Sequence, residues 1–100
     1  MLTFILKKDW YEKIKSGEKT IEYREVKPYW KTRFINEFLK SNGVLKCPCL
    51  FRLGYTKETL KALITRIEIV DGKDTDLHID KPVYAIHFRL QNNMEQGETR

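Results

Sequence analysis

Long apolar runs are missing from this sequence, and with them any stretch of the roughly 20 apolar residues that a membrane-spanning helix needs. The opening Met1-Leu-Thr-Phe-Ile-Leu6 is too short for the core of a secretory signal and runs into Lys7 and Lys8, so a cytoplasmic location is expected. Cysteine is nearly absent. Cys47 and Cys49 flank a single proline, and a disulfide between such near neighbours in an extended segment would be strained, which fits a reducing compartment. A structural zinc site wants four ligands, but the only histidines, His78 and His87, lie in other segments without paired spacing. Neither a metal nor a cofactor is expected. The five glycines are scattered, without the spacing that presents a row of backbone N–H groups to phosphate. That excludes a P-loop and a dinucleotide-binding loop, and no internal repeat or low-complexity linker is present.

What remains suits one small folded unit. Of the 100 residues, 41% are hydrophobic and 33% charged, too apolar for a disordered chain and too short for two domains. The domain is expected over residues 1–90, with a polar tail at 91–100 whose one apolar residue is Met94, expected to be disordered. The net charge of +5 is uneven: residues 1–46 carry 11 Lys and Arg against 6 Asp and Glu, and residues 47–100 carry 8 against 8. The basic first half favours a polyanionic partner.

Periodicity divides the chain into alternating elements. Leu2 to Leu6 reads as a strand. Asp9 and Glu12 have the spacing of a capping box, and a helix carrying Trp10, Tyr11 and Ile14 is expected to end at Gly17. A strand follows from Lys19 to Glu25. Pro28 suits a helix start, and Trp30, Phe34, Ile35, Phe38 and Leu39 form an apolar stripe, read as core, up to Asn42 and Gly43. Cys49 to Tyr55, Leu63 to Val70 and Val83 to Leu90 read as strands; Leu63, Thr65, Ile67 and Ile69 share one face of the second. Thr56 to Ala62 reads as a loop or helical turn, and Asp71 to Asp74 as a turn. This order of elements implies an α+β fold.

The stretch Ser16-Gly-Glu-Lys-Thr-Ile-Glu-Tyr-Arg24 stands out because its strand carries charges of both signs. Alternation puts Thr20, Glu22 and Arg24 on one face and Lys19, Ile21, Tyr23 and Glu25 on the other. Two readings are open. In one, Ile21 and Tyr23 face the core and Glu22 and Arg24 form an exposed pair worth about 0 to 1 kcal/mol. In the other, Glu22 and Arg24 line a concave site, with the Arg24 fork suited to phosphate or a base edge and Lys19 at its mouth. Lys27, Lys31, Arg33 and Arg52 then steer phosphates, and Tyr29, Trp30 and Tyr55 offer stacking surfaces, although Trp30 also belongs to the helical stripe. His87 and Arg89 lie on the strand face opposite Tyr84, Ile86, Phe88 and Leu90. His87 is read as a solvated or satisfied histidine, and His78 as a surface residue.

Gly17, Lys19, Glu22 and Arg24 match, residue by residue, the G-x-K-x-x-E-x-R signature of the ASCH domain within the PUA-like superfamily, which residues 2–90 resemble in their order of elements. The resemblance implies a small mixed β-barrel of about five to six strands with two main helices packed against it. It also implies a cleft, bordered by the motif, for RNA or a nucleotide-like ligand. Family activities are mixed: RNA binding, ribonuclease activity in some similar proteins, and removal of the acyl group from acetylated cytidine in a small bacterial branch. That branch is thought to use a Lys, a Thr and a Glu. Lys19 matches the Lys, but Glu22 stands at the Thr position, which weakens that reading, and Glu68 is the candidate for the distant Glu. The expected ligand-binding residues are therefore Lys19, Glu22, Arg24, Lys27, Tyr29, Lys31, Arg33, Arg52 and Tyr55, in a monomer. If the protein is an enzyme, Lys19 and Glu22 are its expected catalytic pair. A non-catalytic protein-interaction domain is the third alternative.

Overall fold

A computed structural model describes residues 1–40 and 47–91. The elements are β1 (Leu2–Leu6), α1 (Lys8–Lys15), β2 (Ile21–Glu25), α2 (Pro28–Lys40), β3 (Cys47–Leu53), β4 (Thr59–Asp71), a 3-10 turn (Gly72–Asp74) and β5 (Pro82–Leu90). Five strands form one curled half-barrel sheet in the order β1-β3-β4-β5-β2, with β1 and β3 parallel and the other pairs antiparallel. With two helices, this is a small α+β fold. β1 and β2, the two edges, do not pair with each other.

Register explains where the core lies. Leu2, Phe4 and Leu6 stand opposite Cys49, Phe51 and Leu53, and Cys47 and Cys49 stand opposite Ile64 and Ala62. Paired residues share a face, so one side of the sheet collects these apolar side chains with Phe88, Ile86 and Tyr84 of β5. Tyr11 and Ile14 of α1 and Phe34 of α2 join the same cluster. Packed rings run through it: Trp30 stacked on Phe4 at 5.0 Å, Phe4 on Phe51 at 5.5 Å, and Phe51 tilted against Phe88 at 4.5 Å between centroids. Each such pair adds about 0.5 to 1.5 kcal/mol beyond its burial.

Several local expectations need correction. The capping box does not form: β1 runs to Leu6, so Lys7 becomes the cap residue without a side-chain bond, and Asp9 sits in the first turn. Gly17 does end the helix, in the left-handed region at φ +86°, and Lys19 N–H bonds back to the Lys13 carbonyl at 3.0 Å. The strand it leads into is shorter than expected, starting at Ile21. In α2 only Phe34 of the apolar stripe is buried and Trp30 is half-buried; Ile35, Phe38 and Leu39 are exposed, Leu39 at 67%. α2 meets the sheet through Trp30 on Phe4 of β1 and Phe34 edge-on to Tyr84 of β5, a narrower contact than the stripe in its sequence offers. The expected stop at Asn42 and Gly43 lies outside the described residues, as does the tail from residue 92.

β3 stops at Leu53 and not at Tyr55, because Gly54 turns the chain at φ +53°. The Thr56 hydroxyl donates to the Leu53 carbonyl at 2.7 Å and accepts from Glu58 N–H at 3.1 Å. These bonds complete the turn early, so most of the stretch read as a loop belongs to β4. Within β4 a bulge leaves Thr65 unpaired between Ile64, opposite Phe88, and Arg66, opposite His87. The inward set is therefore Ala62 and Ile64 before the bulge and Ile67 after it, not the uninterrupted row starting at Leu63. Gly72 is required at its turn, since a Cβ there would lie 2.6 Å from the Lys81 carbonyl oxygen and 2.7 Å from that of Ile79.

Candidate ligand cleft

β2 pairs with β5 so that Glu22 lies opposite Ile86 and Arg24 opposite Tyr84, both of which point into the core. Glu22 and Arg24 therefore point inward, and Glu22 is only 6% exposed. Periodicity alone favours Ile21 and Tyr23 for that side, but they take the other face and are half-buried there. The exposed-pair reading does not hold.

A buried carboxylate needs partners, and Glu22 has two. Arg24 donates from Nε to Glu22 Oε2 at 2.9 Å, with Nη2 2.8 Å from the same oxygen. Lys19 Nζ is 3.6 Å from Oε1. Burial pushes the Glu22 carboxyl above its ordinary value of 4.5, while Arg24 and Lys19 pull it back down. Arg24 Nη2 also donates to the Ile5 carbonyl at 3.2 Å, reaching from one edge strand to the other. Its guanidinium lies 5.4 Å from the Phe4 ring and 5.3 Å from the Trp30 ring. One side chain thus bridges the seam of the half-barrel.

Lys19 is as closely held. Its side chain is 10% exposed and its ammonium pairs with the Asp76 carboxylate. It also lies 5.2 Å from the Trp10 ring and 5.1 Å from the Tyr23 ring. Burial raises the Tyr23 phenol, and the carboxylates of Asp76 and Glu68 add to that. At the rim Lys27 pairs with Glu25 at 3.0 Å and holds that carboxyl below its usual value.

These groups open onto a cleft of about 510 Å³ along the seam. Lys19, Glu22, Arg24 and Lys27 of the expected residues line it, together with Lys7, Trp10, Trp30 and Asp76. Tyr29 touches it only through Trp30, edge to face at 4.9 Å, and its own ring carries the Arg33 guanidinium at 3.4 Å. Tyr29 and Arg33 instead border a larger hollow of about 680 Å³ between the start of β1 and the end of α2. Lys31 is exposed on α2 and does not line the cleft. Arg52 donates to the Thr56 carbonyl at 3.0 Å in the β3–β4 turn, where Tyr55 is 86% exposed. Neither reaches the cleft.

Glu68 is not the acid beside Lys19. It lies opposite Ala85, on the outer face of the sheet, 2.6 Å from His87 Nε2 and 3.1 Å from Arg66 Nη2, and this hydrogen bond from His87 lowers its carboxyl. Asp76, from the turn before β5, takes that place, and sequence gave no signal for it because the pairing spans 57 positions. Lys7 shows in the sequence only as the charge that ends the apolar opening, and Trp10 only as part of a helix. No protein-family model matches this chain, and neither does any curated protein.

Proposed function

We propose that this chain is a PUA-like domain of the ASCH type that binds RNA or a nucleotide-like ligand in the cleft along the β1/β2 seam. The observation that carries this reading is the convergence of Lys19, Glu22 and Arg24, three of the four motif residues, inside one cleft between two tryptophans. Buried charges are costly, and a fold that needed only a core would place apolar side chains opposite Ile86 and Tyr84. Indole faces beside cations suit a base next to a phosphate, and Lys7 supplies positive charge at the rim, where Lys27 stands paired with Glu25. The Nε and Nη2 of Arg24 are already engaged by Glu22 and Ile5, so Arg24 shapes the cleft, Lys7 at the rim attracts the phosphate and Lys19 receives it.

A second reading, a hydrolase acting on a modified nucleoside, draws on Lys19 standing between the carboxylates of Glu22 and Asp76. One experiment separates them: an NMR amide titration of the labelled chain with nucleosides, acetylated cytidine included, nucleoside monophosphates and short single-stranded RNAs, with the free ligand followed in the same tubes. Binding is expected to shift amides of residues 5–7, 19–27 and 76–79 and to weaken as salt rises. Conversion of a ligand would establish the hydrolase, and shifts confined to other surfaces would overturn both.

A further inference from the structure

We propose that the cleft continues past Lys19 into a second subsite, so that the domain takes a dinucleoside monophosphate step, with the linking phosphodiester on the Lys19 ammonium. This rests on the nucleotide reading above. A side hollow of about 260 Å³ has Lys13, Glu18, Thr20 and Ile21 in its own lining. It shares Trp10, Lys19, Tyr23 and Asp76 with the main cleft. At that volume it falls below the roughly 300 Å³ at which ligand pockets begin, whereas the cleft lies within the usual range. It is an extension and not an independent site.

The partition between the two spaces is the Lys19–Asp76 ion pair, walled by Trp10 and Tyr23. Glu22 is engaged by Arg24 at 2.8 Å, much closer than its 3.6 Å separation from Lys19, so Asp76 is the main counter-charge of Lys19. The Asp76 side chain is 37% exposed, so it can leave toward water, while Lys19 is confined. A phosphodiester carries the same single negative charge as a carboxylate. Its arrival on Lys19 releases Asp76, leaves the charge at the junction unchanged and joins the two hollows. One base then lies toward Trp30 and Arg24 and the other toward Thr20 and Ile21, with Trp10 and Tyr23 bordering both.

The test compares dinucleoside monophosphates with the matching nucleoside 5′-monophosphates by calorimetry and by NMR on the full chain. The dinucleotide is expected to bind at least about tenfold tighter, more than one extra rim contact gives, and to shift the amides of Lys13 and Glu18, which the mononucleotide leaves in place. Thr20→Trp, which fills the side hollow from an exposed position, is expected to erase that gain without changing mononucleotide affinity. Lys13→Ala should reduce the gain in the same selective way. Asp76→Asn should tighten the dinucleotide, because the ligand no longer competes with a carboxylate; a weakening would overturn the displacement. Equal affinities, with cleft amides moving for both ligands, would overturn the second subsite and leave the nucleotide reading standing. If neither ligand moves a cleft amide, both readings fall.

Discussion

Replacing Arg24 with alanine should destabilise the fold in a pH-dependent way. The Arg24 side chain is 23% exposed and that of Glu22 is 8% exposed, so their pair is largely withdrawn from water. Removing one partner of a buried pair costs about 3 to 5 kcal/mol, because the other charge is left without compensation. Two parts can be separated. Loss of the guanidinium between the Phe4 and Trp30 rings costs about 1 kcal/mol at any pH. The remaining 2 to 4 kcal/mol is the cost of keeping Glu22 ionised with only Lys19 nearby, and it belongs to a titrating group. Burial already raises the folded Glu22 carboxyl above 4.5, and without Arg24 it rises further. A group whose folded value is raised binds its proton more readily in the native state, so its destabilising effect grows as pH climbs above 4.5 and fades as pH falls toward it. Each further unit is worth about 1.4 kcal/mol. Urea unfolding of wild type and Arg24→Ala at pH 7.5 and pH 4.5 measures this. A difference of about 3 to 5 kcal/mol is expected at pH 7.5, shrinking to about 1 to 2 kcal/mol at pH 4.5. An equal difference at both values would show that Glu22 is not the group left uncompensated, and a difference under about 1 kcal/mol at pH 7.5 would show that the pair is solvated.

Four further outcomes follow from the same structure. Cys47 and Cys49 are buried, and burial with Cys47 beside it pushes the Cys49 thiol up to about 12, so a disulfide-exchange reagent at pH 8 should leave Cys49 unreacted until denaturant is added. Gly72→Ala should lower stability by about 1 to 3 kcal/mol or more, since its Cβ meets two backbone oxygens that cannot rotate away. Gly17→Ala, strained only by its positive φ in open space, should cost about 1 to 2 kcal/mol; thermal melts of the pair should rank them in that order. Phe4→Ala, at the centre of the stacked rings, should cost about 3 to 5 kcal/mol by chemical denaturation.

Elements with short-range signals were legible in the sequence. Gly17 marked a helix end because a left-handed residue is a local requirement, and the alternation of Tyr84, Ile86, Phe88 and Leu90 marked β5 and its inward face. The motif could be located, but its direction could not. Which face of β2 is inside depends on its register with β5, 58 to 66 residues away, and alternation assigns the wrong residues to the core because both faces of β2 are partly covered. The site's composition fails to show for the same reason: Asp76 and Lys19 meet only through the fold. Arg52 and Tyr55, grouped with the motif by charge and ring chemistry, lie at a turn whose position was set by Gly54 and Thr56.

The bulge at Thr65 makes β4 unequal in its tolerance of length changes. Away from it, deleting one residue would exchange inside for outside from the deletion to the bulge or to the strand's end, as when loss of Ile67 drives Arg66 or Glu68 toward the rings of the core. Deleting Thr65 itself would bring Ile64 and Ile67 to strict alternation with every pairing partner kept, at the loss of its own hydroxyl bond to the His87 carbonyl. Descendants of this chain that differ in length within β4 are therefore expected to gain or lose a residue at this one place.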